Sequence, residues 1–153
     1  MFLADKDGYA NRKWWNYSDN ARIVRQSNLK PRTPENLGED HPRSAISWYD
    51  AVAFCRWLSE KCGLQITLPT EQQWQRAAVG DSGWAYPWGD DYDVTRCNTA
   101  KSGNMHTTPV TQYTEGASPF GVVDMVGNVW EWCLNDWNTG KPDIAWGSSH
   151  RGV

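Results

Sequence analysis

The chain has 153 residues, a formal net charge of −3 and 39% hydrophobic residues, a balance that excludes a disordered chain and fits one globular domain. The mild acidity gives no electrostatic reason to expect nucleic-acid binding or attraction to an anionic membrane. The sequence contains no transmembrane or signal-peptide apolar run, which favours a cytoplasmic location. Eleven tryptophans and six tyrosines predict a fold held by aromatic packing between long loops, with modest regular structure.

The predicted elements begin with an irregular region over residues 1–43, where turn residues break short apolar runs. A helix is predicted over about 48–62 because apolar residues recur at intervals of three and four. Ser47 provides its N-cap, with Asp50 three positions later as a variant of the capping box, and Gly63 ends it.

Residues 64–68 alternate and predict a short strand, which Pro69 interrupts. A second helix follows over about 70–79. Loops then extend to residue 120, with a possible strand at 108–113, and the alternation of residues 128–133 predicts another strand.

The four cysteines form no C-x-x-C pair and are too few for a domain stapled by disulfides, so we expect buried free thiols. Cys55 and Cys62 share the apolar face of the first predicted helix, which indicates core packing. Cys97 and Cys133 are isolated, one in a loop and one after a strand.

Six motifs occur in a fixed order along the chain: Asp7-Gly8-Tyr9 with Trp14-Trp15, Ser47-Trp48-Tyr49-Asp50-Ala51-Val52-Ala53-Phe54-Cys55, Leu68-Pro69-Thr70-Glu71 with Trp74, Tyr86-Pro87-Trp88-Gly89, Ser118-Pro119-Phe120-Gly121, and Asp124-Met125-Val126-Gly127-Asn128-Val129-Trp130-Glu131-Trp132. Together, over about residues 1–137, they resemble the formylglycine-generating-enzyme, or sulfatase-modifying-factor, family. The resemblance implies an α+β, C-type-lectin-like fold with two short helices packed on small antiparallel strands and long aromatic-rich loops. It also implies that residues 1–153 form a single partial domain, truncated at both ends.

The same resemblance implies a structural calcium ion near the Trp-Glu-Trp segment. Its ligands would be the side chains of Asp124 and Glu131 and the main-chain carbonyls of Gly127 and Val129. Calcium takes six to eight hard oxygen ligands, and a loop that mixes carboxylates with carbonyls suits it. The alternative is that Asp124 caps a turn and Glu131 pairs with a nearby cation.

A second calcium site implied by the family would use the Asn98 side chain and the Thr99 carbonyl, with further ligands near Ser102 and Asn104. The family often has a carboxylate where Ser102 stands, so we expect weaker binding here.

Trp130 is the candidate substrate-binding residue by the same resemblance, and core packing is its alternative. Strand alternation would place Trp130 and Trp132 on opposite faces, and an exposed aromatic among Gly and Asn loops could hold an extended peptide or protein ligand.

The family oxidises a sulfatase cysteine to formylglycine with copper(I) held by two cysteines near the domain's C-terminal end, which would lie beyond Val153. None of the four cysteines here fits that role, so we expect no catalytic residue and no activity in the chain as it stands; copper would bind only if a further segment supplied cysteines. The alternative function is a non-catalytic lectin-fold module that binds a ligand or protein. A companion domain of an ergothioneine-synthesis-type iron oxygenase ranks last, because nothing resembles its histidine-bearing helical domain.

Overall fold

The regular elements are few and short, as the aromatic-rich, loop-rich composition predicts. The structure, a computed structural model, describes residues 1–28, 30–36, 38–136, 138–142 and 150–152. These residues contain three α-helices, Asp19–Ser27 (α1), Trp48–Cys62 (α2) and Glu71–Val79 (α3), and one antiparallel strand pair, Trp132–Asp136 (β1) and His150–Gly152 (β2). They also contain four 3-10 helices: Arg12–Trp15, Val94–Arg96, Ala100–Ser102 and Thr114–Gly116. No helix within the described residues is both long and apolar enough to cross a bilayer.

Helix α2 confirms the predicted boundaries and both caps. The Asp50 main-chain N–H donates to Ser47 Oγ at 3.2 Å, and the Ser47 main-chain N–H donates to Asp50 Oδ2 at 2.7 Å. This reciprocal pair satisfies two N–H groups that the first turn would otherwise leave without partners. Gly63 ends the helix in the left-handed conformation at φ 67°, which a residue without a Cβ adopts at no steric cost.

The chain divides into two compact units. The first comprises Met1–Thr33, Ala45–Thr70 and Trp132–Val153, and the second comprises Pro34–Ser44 and Glu71–Glu131. The core of the first unit is a cluster of mainly aromatic side chains: Phe2, Tyr9, Trp14, Trp15, Ala53 and Trp57.

The buried indoles of this core keep their N–H groups satisfied. Trp15 Nε1 donates to the Tyr9 carbonyl at 3.1 Å, and Trp57 Nε1 donates to Asp5 Oδ2 at 3.1 Å. Tyr9 and Trp15 also meet edge to face, with ring centroids 5.2 Å apart. The expectation that aromatic packing holds the fold is therefore confirmed in this unit.

The prediction of an irregular N-terminal region is wrong for residues 19–27, which form α1. Ser18 caps this helix by accepting from the Ala21 N–H at 3.1 Å. The buried positions of the helix are Ala21 and Arg25. Because an arginine occupies a core-facing position, the helix lacks the regular apolar spacing that would predict it.

Two predicted strands are absent from the described residues. In segment 64–68, both the N–H and the carbonyl of Ile66 bond to Ser59 Oγ, at 2.9 and 3.0 Å, instead of to a neighbouring strand. Segment 108–113 forms turns, in which the Gln112 N–H donates to the Pro109 carbonyl at 3.0 Å. Local side-chain and turn bonds outcompete a sheet ladder in both segments.

The predicted strand at 128–133 is displaced toward the C-terminus, because β1 begins at Trp132 and ends at Asp136. Asn128 has φ 66°, a left-handed conformation that a strand cannot include. Cys62 is a further correction. It is the last residue of α2 and is exposed, whereas Cys55 is buried as predicted.

Candidate functional site

The loop that holds the predicted calcium ligands Asp124, Gly127, Val129 and Glu131 lies in the second unit. Three residues of this loop adopt positive φ: Asp124 at 61°, Gly127 at 100° and Asn128 at 66°. Left-handed conformations cost free energy in residues with a Cβ and persist where surrounding contacts fix them. The loop therefore has a shape that its neighbours must impose.

Asn128 is the residue through which those neighbours fix the loop. Its Oδ1 accepts from the Thr108 N–H at 2.9 Å and from Asn98 Nδ2 at 3.2 Å. Its Nδ2 donates to the Thr108 carbonyl at 3.1 Å and to Asp124 Oδ2 at 2.9 Å. Asn98 and Thr108 are buried, so these bonds satisfy polar groups that water does not reach.

Gly127 brings the two predicted ligand sets into contact. A Cβ at this position would overlap the main-chain carbonyl of Asn98 and lie 3.1 Å from the Thr99 side-chain methyl. The Asn128 N–H donates to the same Asn98 carbonyl at 2.8 Å. The sequence predicted these residues as ligands of two separate ions, and the structure joins their loops into one network.

The Asp124 carboxylate sits in an environment that favours a nearby cation. It is half-buried, and burial raises its pKa above the ordinary value, while the hydrogen bond from Asn128 opposes that rise. Among the described residues no cationic side chain forms an ion pair with it. A desolvated carboxylate without a counter-charge is costly, and a hard cation would remove that cost.

The other candidate donors are mainly neutral oxygens. Within the described chain, no three His, Cys, Asp or Glu side chains converge to hold a metal, so a cation here would depend on amide and main-chain oxygens. The Gly127 carbonyl accepts from the Val129 N–H at 2.9 Å. The Thr99 carbonyl accepts from Ser102 Oγ at 2.7 Å. Both carbonyl oxygens are hard ligands of the kind that calcium takes.

Glu131 is anchored to α3, because Trp74 Nε1 donates to its Oε2 at 2.7 Å. The alternative prediction gave Glu131 a cation as partner, whereas its partner here is a neutral indole. The Asn104 side chain donates from Nδ2 to the Tyr113 hydroxyl at 3.2 Å.

Trp130 projects from this anchored segment into solvent, and its side chain is 83% exposed. Core packing, the alternative for this residue, does not occur. Trp132 instead is half-buried and donates from Nε1 to the Ile46 carbonyl at 3.1 Å. Their environments differ, but not through the predicted strand alternation, because Trp130 precedes β1.

Sequence reasoning missed Asn128 and Thr108 as the centre of the network. Asn128 lies between the two predicted carbonyl ligands, Gly127 and Val129, but its side chain was not among the candidates. The signal was present, because Asn is the residue with a Cβ that most readily adopts positive φ and also carries both a donor and an acceptor.

None of the four cysteines forms a disulfide, and Cys62 alone among them is exposed. Burial raises the pKa of the Cys55 thiol, which lowers its thiolate fraction and hence its reactivity.

The chain, with its few helices and little sheet, matches a known family of domains. Residues 3–151 match the model of the FGE-sulfatase family, described as the sulfatase-modifying factor enzyme 1-like domain. The chain belongs to this family, as its motifs predicted.

Several relatives have been described by function. The chain is 36% identical over 126 residues to the formylglycine-generating enzyme of Streptomyces coelicolor, covering 69% of the chain and 37% of that protein. It is 32% identical to the inactive C-alpha-formylglycine-generating enzyme 2 of Bos taurus, covering 69% of the chain and 36% of that protein. It is 29% identical to the hercynine oxygenase of Mycolicibacterium thermoresistibile, covering 84% and 31%. The chain thus spans between 31% and 37% of the length of these relatives.

Among solved structures, PvdO from Pseudomonas aeruginosa is similar with a TM-score of 0.55 and 23% identity, covering 82% of the chain and 58% of PvdO. At this identity the similarity establishes the fold alone, an FGE-like one.

Proposed function

We propose that this chain is a calcium-stabilised, lectin-fold module that holds an extended peptide or protein ligand against Trp130 and does not itself oxidise cysteine. The observation that carries the proposal is the contrast between Trp130 and its neighbours. An 83% exposed indole follows a loop fixed by Asn128 and precedes Glu131, which is anchored to Trp74. A rigidly mounted exposed aromatic offers a large contact area at a small entropic cost.

Calcium would be held by Asp124 and Glu131 with the Gly127 and Val129 carbonyls, and more weakly by Asn98 and Thr99. The support is the half-buried Asp124 carboxylate, whose pKa is raised by burial, within a set of hard oxygen donors. A bound ion would supply the missing positive charge and hold the loop together. Because a protonated carboxyl is a poor ligand, affinity should rise with pH through the raised pKa of Asp124.

The proposed lack of oxidase activity rests on the thiols in the described chain. A thiol-based oxidation needs a reactive thiolate, and a copper(I) site needs two soft thiolates together. Cys55, Cys97 and Cys133 are buried, and the exposed Cys62 stands at the end of α2. Copper-dependent conversion would need cysteines that are not among these four. A relative from Bos taurus is named an inactive formylglycine-generating enzyme, so the lack of this activity would not be unusual among the relatives of this chain.

The peptide test uses two matched tryptophan variants. We expect Trp130→Ala to weaken binding of a Cys-x-Pro-x-Arg peptide about tenfold or more, the scale of a well-placed aromatic contact. Trp84→Ala, which removes a 43% exposed tryptophan of the same unit, should leave affinity unchanged. Fluorescence anisotropy of a labelled peptide measures both. Equal losses in the two variants, or mass-spectrometric conversion of the peptide by this chain with copper, would refute the proposal.

The calcium test is a thermal melt with calcium and with chelator. Calcium at a hundred times its Kd should stabilise the chain by about 2.7 kcal/mol. Asp124→Asn should abolish this response, whereas Asp91→Asn, at an exposed carboxylate of the same unit, should retain it. A melt that ignores chelator would contradict the calcium part of the proposal and leave the peptide part standing.

A further inference from the structure

A second site is formed within the first unit, by the 3-10 helix Arg12–Trp15 and helix α1. A cavity of about 330 Å³ lies there, a volume within the range of small-molecule pockets. Its lining is basic and amide-rich, with no acidic side chain: Arg12, Lys13, Trp15, Asn16, Arg22, Arg25 and Gln26.

Two of the four cations in this lining are already compensated. Lys13 Nζ pairs with Glu60 Oε1 at 2.7 Å, and Arg22 pairs with Asp19. Arg22 also donates to Asn16 Oδ1 at 2.6 Å, which fixes its guanidinium. Arg12 and Arg25 have no carboxylate partner among the residues that the structure describes. The cavity therefore retains two positive charges.

Arg25 is the unusual member, because its side chain is only 9% exposed. A buried arginine is normally paired with an acid. Here Nη1 and Nη2 reach only the carbonyls of Asn28 and Ala10, at 3.2 and 3.3 Å, and Nε has no hydrogen-bond partner in the described chain. Arg25 lines the cavity, although its Nε lies below the surface, and no described carboxylate balances the charge of its guanidinium.

The aromatic core holds Arg25 in this position. Its guanidinium carbon lies 5.2 Å from the Tyr9 ring centroid and 6.0 Å from that of Trp15. Cation–π contacts orient a guanidinium without neutralising its charge. The guanidinium is thus held in place, while its positive charge stays unbalanced beside the cavity.

We infer that this cavity binds a phosphate group, either as the free ion or on a small phosphomonoester. Arginine guanidinium groups present several N–H donors in a planar fork that matches phosphate oxygens. A phosphate carries about −1.5 to −2 charge at pH 7, which balances the two uncompensated cations. A monocarboxylate would balance only one of them.

The test titrates the full chain with inorganic phosphate, methyl phosphate and acetate, observed by NMR of the arginine Nε–H signals. We expect phosphate to shift the Arg25 Nε–H signal to saturation, and acetate to bind at least about tenfold more weakly, as the loss of a charged hydrogen bond implies. Saturation by both phosphates indicates a phosphomonoester ligand, and saturation by inorganic phosphate alone indicates the free ion. Either supports the site.

Variants distinguish the site from general electrostatic attraction. Arg12→Gln, at an exposed position of the lining, should weaken phosphate binding about tenfold. Lys6→Gln removes the same charge from an exposed position outside the lining and should leave binding unchanged. Arg25→Lys should also weaken binding, but the test stands without it if that variant unfolds. Equal affinities of the Arg12 and Lys6 variants, or an Arg25 signal that does not respond to phosphate, would overturn the inference.

Discussion

Replacing Asn128 with Ala should destabilise the chain more than any exposed-loop substitution, because one side chain fixes the whole loop. The variant loses the bonds to Thr108, Asn98 and Asp124 and leaves a buried N–H without its acceptor. Since Asn128 is itself only half-buried, we count two net hydrogen bonds at about 1 kcal/mol each. Alanine at φ 66° adds about 1 kcal/mol of left-handed strain. The expected loss is about 3 kcal/mol.

Asn128→Gly separates the two contributions. Glycine loses the same hydrogen bonds but adopts φ 66° freely, so it should be about 1 kcal/mol more stable than the alanine variant. Urea unfolding followed by tryptophan fluorescence gives both free energies of unfolding. If the two variants unfold together, or if both stay within about 0.5 kcal/mol of the parent, the side chain is a surface residue and the proposed network is wrong.

Three further predictions concern other parts of the molecule. Gly127→Ala should lower the free energy of unfolding by at least about 2 kcal/mol, because its Cβ would overlap a main-chain carbonyl. Gly103 also has a positive φ but open space around it, so Gly103→Ala should lower the free energy of unfolding by about half as much in the same urea assay. Asp5, whose pKa is lowered to about 2 by a main-chain N–H two residues along and by Lys61, stabilises the fold fully above its unfolded pKa of 3.8. That contribution is lost as pH falls from 3.8 towards 2, so Asp5→Asn should flatten the acid-unfolding curve in this window. One thiol of the native chain should react rapidly with a thiol reagent, and Cys62→Ser should remove that phase while leaving the slow phases of the buried thiols; two fast thiols would contradict the described burial.

Elements encoded by neighbouring residues could be predicted from the sequence alone. Helix α2 follows from its periodicity and from caps that lie within three residues of its ends, and the structure reproduces its bounds from Trp48 to Cys62. The family also follows from the sequence, because ordered motifs survive without coordinates. The candidate ligands at 124–131 could be named, but whether they bind calcium stays a prediction.

Other features depended on the tertiary structure, because they arise between residues that are from seven to 30 positions apart in the chain. Segment 64–68 has a strand's alternation, yet Ser59 satisfies the Ile66 main chain before any strand can. Helix α1 buries Arg25, and the Tyr9 and Trp15 rings stabilise its guanidinium there. The hydrogen bond between Asn98 and Asn128 joins two loops whose residues are 30 positions apart in the chain. Local propensity depends on adjacent residues, whereas these contacts form only once the chain has closed its loops.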